Sequence, residues 1–160
     1  MQSLLMLSLS FLGIFGHYFE LKPAGYYISE ELNWVLFDFC TICGEKRWEG
    51  KNIRLKPIDL VNLQDWLNCC LKDSECSGLI LEESGLTFCR QFMSDISRET
   101  IIRIYFNGTS KPEWAAAFRD NLVWVDIYLN DGIRDMLAGG LKEWIQEYHK
   151  WDATNSKIAI

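Results

Sequence analysis

The chain has 160 residues, 49% of them hydrophobic and 24% charged, which places it among folded globular proteins and excludes a disordered chain. At this length folding buries roughly 70% of the unfolded surface, so a single domain over residues 1–160 with one core is sufficient. The formal net charge of −6, with Lys and Arg scattered rather than clustered, excludes a nucleic-acid-binding role and favours a basic partner.

Residues 1–16 carry no charge, yet they lack the basic start and the small-x-small cleavage site of a secretory signal. The run is also too short for a membrane span. Leu5, Leu7, Leu9 and Phe11 share one apolar face at a period of two, which predicts a first strand. Residues 16–31, containing Pro23, Gly25, Tyr26 and Tyr27, read as a long connection. Residues 33–42 are apolar on both faces and predict a central strand. A turn at residues 44–47 leads into a partner strand over residues 48–56, wet on one side, which makes a hairpin.

Pro57 suits the first position of a helix, where its missing N–H costs nothing. Leu60, Leu63, Leu67 and Cys70 or Leu71 recur at helical spacing and carry that helix to about Lys72. A polar break at residues 73–78 precedes a short strand over residues 79–81, and Ser84-Gly85 turns into a strand over residues 86–92. After a turn at residues 95–99, the β-branched run 101–106 and the alternating run 122–129 face each other across a polar link. Within that link Asn107-Gly108 marks a turn, and residues 113–118 suit one helical turn.

Val123, Val125, Ile127 and Leu129 lie on one face that requires cover. The following amphipathic helix supplies it, capped by Asn130 or Asp131, with a stripe of Ile133, Met136, Leu137, Leu141, Trp144, Ile145 and Tyr148. Gly139-Gly140 interrupts it as a weak point or a place of close packing, and from Asp152 the pattern is lost and the tail frays. No repeat, low-complexity tract or dividing linker is present. The fold class predicted is α+β: a single antiparallel, meander-like sheet of six to seven strands with two helices packed on one face.

Reactive chemistry is sparse. Cys40-Thr41-Ile42-Cys43 is a C-x-x-C, but residues three apart on a strand project to opposite faces and no second pair completes a metal site. The six cysteines sit in or beside apolar runs, as buried free thiols do, and imply a reduced, cytoplasmic protein. His17 and His149 stand in no nucleophile motif, and no phosphate-cradling glycine loop exists. The acidic pairs Glu30-Glu31 and Glu82-Glu83 fall at strand ends, where neighbours point apart. No metal or other cofactor is expected. A cysteine-ligated metal protein or enzyme is the alternative.

Asn33-Trp34 with its apolar strand, Trp48-Glu49-Gly50, the helix after Pro57, Leu86-Thr87-Phe88, residues 101–106, Pro112-Glu113-Trp114 and the terminal strand and helix resemble the WapI family of bacterial immunity proteins. The resemblance covers about residues 5–151 and rests on the order of elements, with no catalytic motif. It implies a small, non-catalytic α+β protein that binds and neutralises a cognate toxin by occlusion, the expected target being a basic nuclease domain. No nucleic acid and no membrane enter that role. The acidic and aromatic residues in or beside loops, Tyr26, Tyr27, Glu30, Glu31, Glu82 and Glu83, are then the expected partner contacts.

Overall fold

The structure is a computed structural model that describes residues 8–13, 16–72, 78–91, 100–112, 114 and 123–156. The expected first-strand residues Leu5 and Leu7, the polar break at residues 73–77, the turn at residues 95–99, and the helical turn at residues 113–118 apart from Trp114 lie outside the described residues.

The α+β class holds, but the strands form two sheets rather than one. β1 (Leu9–Leu12), β2 (Tyr18–Ile28), β3 (Asn33–Cys43) and β4 (Lys46–Leu55) make a four-stranded antiparallel sheet in that order. After α1 (Pro57–Lys72), β5 (Leu79–Leu81), β6 (Leu86–Gln91), β7 (Thr100–Phe106) and β8 (Val123–Leu129) make a second, also antiparallel and in sequence order. α2 (Asp131–Ser156) closes the chain. Each half is a meander, its strands paired in sequence order. A helix inserted between β4 and β5 separates them, and the alternating pattern is equally compatible with one sheet or two.

The inner faces of the two sheets meet through aromatic rings. Phe19 and Phe39 of the first sheet lie 5.8 and 5.5 Å from Phe106 of the second, and Trp48 meets the same ring edge-on at 5.1 Å. Phe19, Phe37, Phe88, Ile102, Ile104, Phe106, Val125 and Ile127 are all fully buried. Each alternates with a half-exposed neighbour, which is the period-two pattern of a sheet wet on one side. α1 and α2 pack against each other, Gln64 donating to the Ala138 carbonyl at 3.2 Å, while Trp66 carries α1 onto Phe88. Leu60, Leu63, Leu67, Leu137, Leu141 and Trp144 belong to the same buried cluster as the sheets.

The segment expected as a connection, residues 16–31, is largely strand β2. Proline and glycine obscured it for an identifiable reason. Among the described residues β1 pairs with β2 no further than Leu21, so Pro23 lies beyond that pairing, where a missing N–H is tolerated. The register with β3 then slips between Pro23 and Gly25, and Gly25 takes φ +139.

Other expectations hold with adjusted ends. β3 is central, with β2 and β4 on either side, and the β3–β4 turn pairs Cys43 with Lys46 across Gly44 at φ +62. The Asn130 side chain caps α2, accepting the Ile133 N–H at 2.9 Å. Met136, counted in the apolar stripe, is instead exposed. The helix also continues beyond Asp152 to Ser156, held there by Asn33, which donates to the Asp152 carboxylate at 2.9 Å.

The two sheets are joined along one side by a seam at β8. Gly13 bridges Ile127, and Gly13 has no room for a Cβ, which would stand 2.1 Å from the Asp126 carbonyl oxygen. Next to it, His17 Nδ1 accepts the Asp126 N–H at 3.0 Å. Beside that bridge, the Asp126 N–H on the edge of β8 is thereby satisfied by a side chain in place of another strand.

Candidate partner-binding cleft

The β2–β3 turn is built by one side chain. Ser29 Oγ donates to the Leu32 carbonyl at 2.6 Å and accepts the Leu32 N–H at 3.1 Å, while Ser29 N–H also reaches that carbonyl at 3.2 Å. Glu30 and Glu31 are left at the tip, both exposed. Behind the tip, Tyr27 and Trp34 are cross-strand partners, and Arg54 on β4 stands opposite Leu36, on the same outer face of the sheet as Trp34.

The Arg54 guanidinium lies 4.8 Å from the Tyr27 ring centroid and 5.9 Å from that of Trp34. These residues, with Glu30, Glu31, Lys56 and Glu83, line an open cleft of about 930 Å³. Among the described residues no ion pair engages Glu30, Glu31, Glu83 or Arg54, although Arg47, Arg103 and Arg134 each hold a carboxylate of this chain. Tyr27 and Ile28 are 45% and 57% exposed, so the lip of the cleft is apolar as well as charged.

The far wall is a 3₁₀ turn over Glu82–Ser84, fixed from below. Ser84 Oγ donates to the Leu81 carbonyl at 2.7 Å and accepts the Leu86 N–H at 3.1 Å, and the Ser110 hydroxyl donates to the Ser84 carbonyl. Gly85 ends the turn at φ +73 with its N–H on the Glu82 carbonyl, and a Cβ there would stand 1.9 Å from the Asn107 carbonyl oxygen. Only glycine fits such a position. Ser84 is buried while Glu82 and Glu83 are exposed. Both lie close enough to Asp59, in the first turn of α1, to add to the effect of burial in raising its carboxyl above the usual range, against the Lys56 N–H that it accepts.

The six expected contact residues divide accordingly. Tyr27, Glu30, Glu31 and Glu83 converge on the cleft, and Glu82 stands beside Glu83 on the same turn without lining it. Tyr26 faces the other way, stacked on Trp151 at 4.6 Å, with its hydroxyl buried and, among the described residues, unpartnered. Trp34, Arg54 and Lys56 were missed. The cross-strand register that brings them to Tyr27 appears in no local pattern, and β2 itself was not recognised.

Cys40 and Cys43 are free thiols on separate errands, as are Cys69, Cys70 and Cys89. Cys40 lies on the outer face of the first sheet among charged side chains, whereas Cys43 turns to the seam. Because His17 Nδ1 accepts a backbone N–H, the ring proton sits on Nε2, 3.3 Å from the Cys43 sulfur. An imidazole so oriented donates to the thiol and cannot take its proton, and burial pushes the Cys43 thiol up from its ordinary value. Among the described residues no group of three or more His, Cys, Asp or Glu side chains is placed to hold a metal ion. No described helix is long and apolar enough to cross a membrane.

No curated protein matches the chain. A family model does, described as the Immunity protein WapI-like family and matched over residues 10–149, a span that runs from β1 into the last turns of α2. It takes in both sheets, α1 and every residue lining the cleft, so the chain belongs to the WapI-like immunity protein family.

Proposed function

We propose that this chain neutralises a cognate bacterial toxin by binding and occluding it, without catalysing a reaction, and that the cleft between the β2–β3 turn and Glu83 is the contact surface. The observation that carries this reading is the set of charges without ion-pair partners among the described residues, gathered with the exposed Tyr27 ring in one cleft of a family member. A partner supplies the counter-charges that the chain itself does not. With three carboxylates on the rim and a net charge of −6, the favoured target is a basic domain, such as a toxin nuclease met in the cytoplasm.

Tyr27 supplies an aromatic anchor, Glu30, Glu31, Glu82 and Glu83 supply steering and rim contacts, and Tyr26 supports the sheet from behind. The test is a binding titration of the toxin domain encoded beside this chain, together with a growth-rescue assay. Charge reversal at Glu30 with Glu31, and separately at Glu82 with Glu83, should slow association and reduce its salt dependence. Wild-type rates and salt slopes in both variants would remove the cleft from the interface, and failure of the wild type to bind would remove the immunity role.

A further inference from the structure

Arg54 differs from the other arginines whose partners are described. Its guanidinium carbon lies 4.8 Å from the Tyr27 ring centroid and 5.9 Å from that of Trp34, and the π faces that attract the cation offer no planar acceptor to its N–H donors. Among the described residues no carboxylate or carbonyl accepts them either, although Glu30, Glu31 and Glu83 share the cleft. An exposed planar donor set positioned by two rings, with no carboxylate or carbonyl of the described residues on it, fits a planar acceptor.

We propose that Arg54 is the anchor for an acidic side chain of the toxin, an inference that rests on the reading of the cleft given above. The occupant is a protein carboxylate because the rim repels polyanions: a nucleic acid or free phosphate reaching Arg54 would pass Glu30, Glu31 and Glu83. It is an internal Asp or Glu because acidic groups stand on both walls. A chain that crosses the cleft can set a basic residue against each wall with the acid between them, whereas a C-terminal carboxylate would leave one wall without a counter-charge. The recognised surface is therefore basic, acidic, basic in order along the toxin. Its central carboxylate gives specificity that attraction between a negative and a positive protein does not.

The experiment measures affinity of the same toxin domain for the wild type, Arg54→Lys, Arg54→Gln and the Glu30→Lys/Glu31→Lys variant, each first shown to keep the wild-type unfolding midpoint. Arg54 is exposed, so its replacement leaves the core intact. Lysine keeps the charge but loses the fork and the stacking, and should weaken binding by about tenfold or more. A scan of the toxin's surface Asp and Glu to Asn and Gln should then find one position that weakens the wild type by a similar factor and Arg54→Lys hardly at all. If Arg54→Lys and Arg54→Gln bind within about twofold of wild type while Glu30→Lys/Glu31→Lys binds poorly, the anchor is wrong and the cleft stands. If Arg54→Lys binds poorly but no toxin carboxylate is coupled to it, Arg54 only shapes the cleft and the inference is overturned. Wild-type affinity in all three variants overturns the cleft reading itself, and no complex with the wild type overturns the immunity role on which both rest.

Discussion

Tyr26 stacks on Trp151 with ring centroids 4.6 Å apart and planes 27° apart, and Tyr148 completes the cluster at 5.8 Å from Tyr26. The contact ties the last turns of α2 to β2, just behind the cleft. It also leaves the Tyr26 hydroxyl buried with no hydrogen-bond partner among the described residues, and burial, then Glu147 and Tyr148, push that phenol up to about 12.

The sign of the resulting pH dependence follows from linkage. A phenol whose folded value exceeds its unfolded value keeps its proton longer in the folded state, so its contribution is full below pH 10 and is lost as pH rises to about 12. Tyr26→Phe removes this proton. Urea titrations should show the variant within about 1 kcal/mol of wild type at pH 7, or slightly above it, because no hydrogen bond is lost. The gap should move in the variant's favour above pH 10; an unchanged gap would show that the hydroxyl is solvated.

The adjacent glycines of α2 should respond oppositely to alanine. At Gly139, an exposed position, an added Cβ meets nothing within 4 Å, so Gly139→Ala should stabilise the protein by about 1 kcal/mol through helix propensity. At Gly140 the same atom would stand 2.5 Å from a methyl carbon of Leu9, a buried β1 side chain that must shift, and Gly140→Ala should cost about 1–3 kcal/mol. Thermal melts of the two variants decide whether this doublet is one weak point or one weak point beside one tight contact.

His17 substitutes for a strand at the edge of β8, and an amide could do the same. His17→Ala should cost about 1–3 kcal/mol by stranding the Asp126 N–H, whereas His17→Asn, whose carbonyl can accept that proton, should recover part of it. Hydrogen exchange at the Asp126 amide is the direct readout, fast in the alanine variant and slower in the asparagine one.

On the outer face of the second sheet, Arg103 donates twice to Asp126, at 2.8 and 3.0 Å, with its guanidinium 3.7 Å above the Trp124 ring. The pair joins directly opposed residues of β7 and β8. Asp126→Asn keeps the shape but not the charge-assisted fork, and should cost about 1.5–3 kcal/mol. Chemical denaturation at low and high salt checks this; a loss that disappears in high salt would mark the pair as solvent-screened.

What could be read in the sequence was set by how local each pattern is. The turn at Gly44, the start of α1 at Pro57, the alternation of β8 and the Asn130 cap are each specified within a few residues, and all were legible. The division into two sheets was not, because whether β4 pairs with β5 depends on where α1 sends the chain. Tyr26 and Tyr27 show the same limit at the site. As neighbours on a strand they face opposite ways, but with β2 hidden by Pro23 and Gly25 they read as two loop tyrosines of equal standing. That Glu30, Glu31, Glu82 and Glu83 are exposed was legible because exposure follows from composition, whereas the place of Arg54 in the cleft was not, because it depends on pairing two strands away.

Ser29 closes the β2–β3 turn with its own hydroxyl and backbone, so nothing in the hairpin draws on the side chains at positions 30 and 31. Those two sites can drift in identity while the scaffold that carries them stays folded. On the proposed reading of the cleft, a new partner can thus be met by changing the tip one codon at a time, with each intermediate still a folded protein.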